Sequence, residues 1–157
     1  MQNKNHIYLI LSIVALIAIG LSIGSFTKPE ISTWYSTLNR SSLTPPNYVF
    51  PIAWTILYGI IGACGWVIWG EPSFPKIMVI KTLYVIQLIL NWSWTRLFFH
   101  FHLTGFSLIV LGSMDILVGM IIWLSYPKIR LVSLLMIPYL LWILFASYLN
   151  FYIWWYN

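Results

Sequence analysis

The residues able to do chemistry in this chain are few, because almost everything around them is apolar. Polar groups inside membrane-spanning helices are costly, so each one needs a reason. Four sets qualify. Trp54 and Tyr58 are spaced i,i+4 on one helical face. In N-W-S-W-T-R-L-F-F, Asn91, Trp94 (or Thr95) and Phe98 follow the i, i+3/i+4, i+7 pattern of one face. In P-Y-L-L-W-I-L-F-A-S-Y-L-N, Tyr139, Trp142, Ala146 and Asn150 form a second such stripe. Asp115 is the one acid inside an apolar run. Aromatic faces and amides suit the capture of a flat, hydrophobic molecule. No nucleophile stands at the spacing of a base, and no His/Cys/Asp/Glu group has metal-ligand spacing. Hydrolytic and metal chemistry therefore have no support. His100 and His102 alternate at a helix end and are expected to face head groups rather than haem iron. Gly59, Gly62 and Gly65 lack the strand and the lysine of a phosphate loop and read as packing glycines.

What positions these groups follows from composition. Of 157 residues, 61% are hydrophobic and 7% charged, against the roughly 25% charged residues of soluble domains. This chain is a membrane protein. Five apolar segments, at about 6–26, 51–70, 77–99, 105–124 and 130–153, each approach the ~20 residues needed to cross a bilayer core. The first is too long for a signal peptide and lacks a cleavage site, so it is expected to be retained. The short loops between the later spans imply antiparallel neighbours. The expectation is an all-α bundle of five transmembrane helices, a single domain over 1–157, integral and multi-pass.

The one long polar interruption runs from Trp34 into the second span. Pro45-Pro46 cannot lie inside a helix, whereas Pro51 suits a first helical turn. Five spans put this loop on the same side as the end of the third and fifth spans. Trp54, the Asn91–Phe98 face and the Trp142–Asn150 face thus share one leaflet beneath an aromatic lid. Lys28, Arg40 and Arg96 fall on that side, and Lys4, Lys76, Lys81, Lys128 and Arg130 on the other, a bias that favours a cytoplasmic N-terminus. The formal charge of +5 is scattered over helix flanks, which fits lipid head groups or an anionic ligand and not nucleic acid. The lone Cys64 excludes an intrachain disulfide.

Each set also has a structural reading. Trp66, Trp69, Trp123, Trp154 and Trp155 sit at span ends as interface anchors. Asn91 and Asn150 are equally readable as hydrogen-bonding glue between helices, and Asp115, flanked by Gly112 and Gly119, as a packing acid. Gly105, Gly112 and Gly119 recur every seven residues, and Gly59 with Ala63 makes a second small-residue pair. Such faces allow close helix approach, and a homodimer is expected.

The strings W-Y-x-x-L…T-P-P-x-x-V-F-P-x-x-W-T-x-L-Y, L-N-W-x-W-x-x-x-F-F and P-Y-L-x-W-x-x-F-A-x-x-L-N, in this order from about residue 30 onward, closely resemble the tryptophan-rich sensory protein family, whose animal members are the translocator proteins or peripheral benzodiazepine receptors. The resemblance implies a usually dimeric five-helix protein of a bacterial cell membrane. It also implies that porphyrins and related hydrophobic molecules bind in a cavity under the first loop. No cofactor is required; a porphyrin is ligand or substrate. Carried over by position, the pocket comprises Trp34, Tyr35, Trp54, Tyr58, Asn91, Phe98, Asp115, Trp142 and Ala146, to which the helical stripes add Trp94, Tyr139 and Asn150. Trp54 and Trp142 correspond to the tryptophans associated with light- and oxygen-dependent protoporphyrin degradation in bacterial members. The propionates are expected near Arg40 or Arg96.

Two departures bear on this. Ser41 and Leu43 replace a proline and a tryptophan of the family's loop, predicting a less rigid lid. Leu149 and Tyr152 are present, but Trp155 stands where animal members carry the basic residue of a sterol motif, so sterol binding is not expected to carry over. Two function classes stay open: a tetrapyrrole binder that senses, scavenges or degrades its ligand, and a transporter or accessory protein for a lipophilic solute such as a sterol or porphyrin.

Overall fold

The computed structural model describes residues 6–157; Lys4, counted above, lies outside the described residues. Its elements are α1 (His6–Ser32), α2 (Trp34–Thr37), α3 (Val49–Gly70), α4 (Ile77–Thr95) continued by a π turn (Arg96–His100), α5 (Thr104–Ser125) and α6 (Arg130–Tyr156). Five of these stretches are long and apolar enough to cross a membrane: α1, α3, α4 with its π turn, α5 and α6. Around the bundle, α1 packs on α3, α3 on α6, α6 on α5 and α5 on α4, while the π turn closes the ring against α1. The buried centre includes Ile61, Ile80, Leu111, Met114, Met136 and Ile143.

The first span is longer than expected. The expected boundary near residue 26 is passed, and the helix runs through Pro29 to Ser32. Pro29 supplies no N–H of its own, but its carbonyl accepts the Thr33 amide at 3.1 Å and the Ser32 and Thr33 hydroxyls at 2.9 Å each. Hydroxyls also bond back along the preceding turns, Ser22 to Ala18 and Thr27 to Gly24. These hydroxyl bonds lie in the turns on either side of Pro29. At the other long-loop junction α3 begins at Val49, so Pro51 lies in its first turn, where a missing N–H costs nothing.

α1 contributes no residue to the buried set. Its seat on α3 is a backbone contact: a methyl on Gly62 would come 2.8 Å from Ile13 Cα. There the Ser12 hydroxyl donates to the Gly62 carbonyl at 3.0 Å. This closure lies at the end of the bundle away from the long loop. Toward the loop the same two helices form opposite walls of a cavity.

α4 ends in a widened turn, with Phe101 N–H bonded to the Arg96 carbonyl at 3.0 Å and Leu103 N–H to Leu97 at 2.9 Å. The extra residue brings both Phe98 and Phe99 onto the cavity wall, a use of π turns common at functional sites. The loop after α2 is held by side chains. Asn157 binds both the amide (2.8 Å) and the carbonyl (3.2 Å) of Asn39. Buried Ser41 pairs its hydroxyl with Tyr148 at 2.9 Å and accepts the Leu43 amide at 3.1 Å. The serine that replaces a proline thus ties the lid to α6.

Candidate functional site

On the loop side a cavity of about 600 Å³ opens between α1, α3, the end of α4 and the last turns of α6, with Tyr35 of α2 and Asn47 at its loop end. Three features of the sequence make it. Gly20 leaves room for the Tyr58 ring, which a methyl at that position would strike. The helical repeat turns Trp54 and Tyr58 of α3 inward together. Ala146 on α6, one turn beyond Trp142, keeps the opposite wall thin.

The aromatic groups touch one another in sequence around the wall. Trp54 lies 5.7 Å from Tyr58 and 6.4 Å from Trp94, both tilted. Trp94 stacks on Phe98 at 5.6 Å and 23°. Tyr35 meets Phe98 edge-on at 6.2 Å. The Arg40 guanidinium sits 5.2 Å from the Tyr35 ring centre. Burial pushes the Tyr35 phenol above its ordinary pKa, with Arg40 pulling it back.

Behind the wall run two hydrogen-bonded groups, although Gln87 Nε2 and Trp142 Nε1 are buried without a partner. Tyr58 donates to Asn91 Oδ1 at 2.6 Å, Asn91 Nδ2 donates to the Tyr139 hydroxyl at 3.0 Å, and Tyr139 donates to Gln87 Oε1 at 2.9 Å. Asn150 Oδ1 accepts from Trp94 Nε1 at 3.1 Å and from Ser107 at 2.9 Å, while its amide donates to the Thr104 carbonyl at 2.7 Å. These bonds fix the rotation of α4, α5 and α6 at the height of the cavity.

The expected site residues therefore divide. Tyr35, Trp54, Tyr58, Trp94, Phe98, Ala146 and Asn150 line the cavity. Asn91 and Tyr139 lie behind Tyr58 as its hydrogen-bonded support. Trp142 stands behind Trp54, edge to face at 6.5 Å, against Phe50 at 6.1 Å, and its buried Nε1 has no partner. Trp34 backs Phe98 at 5.4 Å and stacks on His102 at 4.0 Å. Asp115 takes the Ser147 hydroxyl at 2.8 Å between α5 and α6 and is not on the wall.

A model of the TspO/MBR family matches residues 12–156. The chain belongs to this family. It is 40% identical over 147 residues to the tryptophan-rich protein TspO of Archaeoglobus fulgidus, covering 94% of this chain and 95% of that protein. Identity to the tryptophan-rich protein TspO of Chlorobaculum tepidum is 37% over 153 residues, 96% of each. The human translocator protein is 32% identical over 142 residues, 87% of this chain and 83% of that one. With its five spans, this TspO/MBR chain is an integral, multi-pass membrane protein.

Sequence reasoning missed three parts of the site. Gln87 escaped, although a polar residue one turn before Asn91 in an apolar span is the same signal that picked out Asn91. α1 escaped because it is apolar all round and offers no stripe, yet Gly20, Gly24, Lys28 and Ile31 form one wall. His102 was expected at the head groups; its backbone is left-handed (φ 54°), and Nε2 lies 3.3 Å from Glu30. Stacked on Trp34, it joins the loop after α4 to the end of α1.

Proposed function

We propose that this TspO/MBR protein binds a flat tetrapyrrole, protoporphyrin being the reference case, in the loop-side cavity, within a bacterial cell membrane. The observation that carries the reading is the continuous run of aromatic surface from Tyr58 through Trp54 and Trp94 to Phe98 on the cavity wall. Its volume of about 600 Å³ is in the middle of the range for small-molecule sites, roughly 300–1,000 Å³. Offset and edge contacts among such rings suit a planar π-system. No cofactor is needed for binding.

The same wall supports a chemical role. Under light and oxygen, an excited porphyrin, or the reactive oxygen it generates, takes an electron from an adjacent indole, and the aromatic walls hold the ring while it reacts. Trp54 is the wall indole of the expected pair, and Trp142 lies in contact behind it. Trp94, also on the wall and 6.4 Å from Trp54, is a further candidate contact. The test is direct. Protoporphyrin should quench tryptophan fluorescence saturably at micromolar affinity, about −8 kcal/mol, and its absorbance should fall under light faster than in empty micelles. Equal quenching by an unrelated membrane protein overturns the site; saturable quenching without accelerated bleaching leaves a binder or carrier.

A homodimer through α5 belongs to the same reading. Methyl groups added at Gly112 and Gly119 would meet nothing within 4 Å. Ile109, Ile116 and Trp123 are 65%, 66% and 71% exposed, so the helix offers neighbours a small-residue face with apolar flanks. Gly59 is different, since it faces Ile17 of α1 in the same chain.

A further inference from the structure

We propose that Lys28 makes the cavity selective for amphiphiles that carry an anionic group: the apolar body sits among Trp54, Trp94 and Phe98, and the anion lies at the α1 end of the wall. This rests on the reading of the cavity as a ligand site and adds the charge class of the ligand. Among the described residues, Lys28 is the one charged residue on the wall. It shares a face of α1 with Gly20 and Gly24 and stands eight residues beyond Gly20, about 12 Å along the axis at 1.5 Å per residue. Gly20 marks the level of the Tyr58 ring. Asn91 is bonded to Tyr58, and Phe98 lies about 10 Å further along α4, so a ligand spanning floor to mouth meets aromatic surface along its length and has Lys28 beside it on the wall near the mouth.

The acids of the chain are placed so that none balances this charge. There are three. Glu30 is directed to His102, 3.3 Å away. Asp115 is held by Ser147 between α5 and α6. Glu71 follows the far end of α3, at the opposite end of the bundle. The two cations expected to meet the propionates are not on the wall: Arg40 lies over Tyr35 and borders an adjoining polar hollow that shares Asn47 with the cavity, and Arg96 opens the π turn without reaching the wall. The Ser25 and Thr27 hydroxyls on the wall spend their protons on the carbonyls of Ser22 and Gly24, so neither donates to an anion. An ammonium, by contrast, brings three donors on a flexible stem. Because it acts as a point charge, it selects by sign more than by shape.

The experiment compares protoporphyrin with its dimethyl ester, which keeps the ring and removes both charges. Dissociation constants are measured by fluorescence quenching in zwitterionic detergent for the native protein, Lys28→Gln, Lys28→Glu and Arg40→Gln. The native protein should prefer the diacid by roughly twofold to fivefold, as expected of an exposed charge pair, and the preference should shrink with salt. Lys28→Gln should abolish it and Lys28→Glu reverse it, while Arg40→Gln keeps it. An unchanged preference in Lys28→Gln overturns the proposal. If neither porphyrin binds the native protein, the tetrapyrrole reading fails, and palmitate against methyl palmitate puts the same question to Lys28: no preference for the acid then overturns it too. Repeating the titration in nanodiscs with and without phosphatidylglycerol separates the anion's sources. Erosion of the diacid's advantage in the native protein alone identifies a lipid phosphate as an occupant; no erosion identifies the free carboxylate.

Discussion

The Tyr58 phenol donates a 2.6 Å hydrogen bond to Asn91 Oδ1 while its ring rests against Gly20. One side chain thereby couples the cavity floor, the first helix and the polar centre of the bundle. Tyr58→Phe keeps the aromatic wall but leaves Asn91 Oδ1 buried without a donor, at a cost of about 1–3 kcal/mol. Thermal unfolding in detergent should show that loss, with ligand affinity changed only a few-fold.

Gly20 and Gly24 provide a matched pair on α1. A methyl at Gly20 collides with the Tyr58 ring, whereas one at Gly24 meets nothing within 4 Å. Gly20→Ala should destabilise the protein by about 1–3 kcal/mol through overpacking and lower ligand affinity as Tyr58 is displaced. Gly24→Ala should be neutral or stabilise by up to about 1 kcal/mol, the gain of alanine over glycine inside a helix. Equal melting temperatures for the two variants would contradict this placement of α1.

Ala146 lines the cavity on α6. Replacing it with threonine adds bulk and a hydroxyl to an aromatic wall, and should weaken protoporphyrin binding by about 1–3 kcal/mol while the fold survives. Titration of the folded variant decides the point; native affinity would show that the ligand does not reach α6.

The proposed binding and photochemistry should separate at the indoles. Phenylalanine preserves a flat apolar wall without the ease of oxidation of indole. Trp54→Phe and Trp142→Phe, singly and together, should leave affinity within about tenfold and suppress light-driven loss of the pigment. Trp66→Phe should change neither. Native-rate bleaching by the double variant would end the degradation reading.

The proposed homodimer is testable at α5. Leucine at Gly112 enters open space within one chain, so the protomer should fold, and the added bulk should separate a pair packed through that face. The detergent-corrected mass should fall from dimer to monomer. A mass unchanged from the native protein would move the interface off α5.

The sequence alone settled the number of spans and most of the faces within them, though not the extension of α1 through Pro29 or the π turn that ends α4. The apolar runs are long enough to demand five spans whatever their neighbours, since backbone polar groups in a bilayer must be satisfied within each helix. The 3.6-residue repeat likewise puts Trp54 with Tyr58, and Trp94 with Phe98, on common faces. What one helix presents to another was decided only by packing. Trp142 shares its stripe with Ala146, yet α6 is rotated so that Ala146 reaches the cavity and Trp142 backs Trp54. Asp115 turns to Ser147, a partner 32 positions away that no local pattern announces. α1 gives no stripe to read; it becomes a wall because Gly62 admits its backbone at one end and Gly20 admits Tyr58 further up. Periodicity fixes direction around one helix axis, whereas the rotation and approach of two axes depend on contacts between residues far apart in the chain.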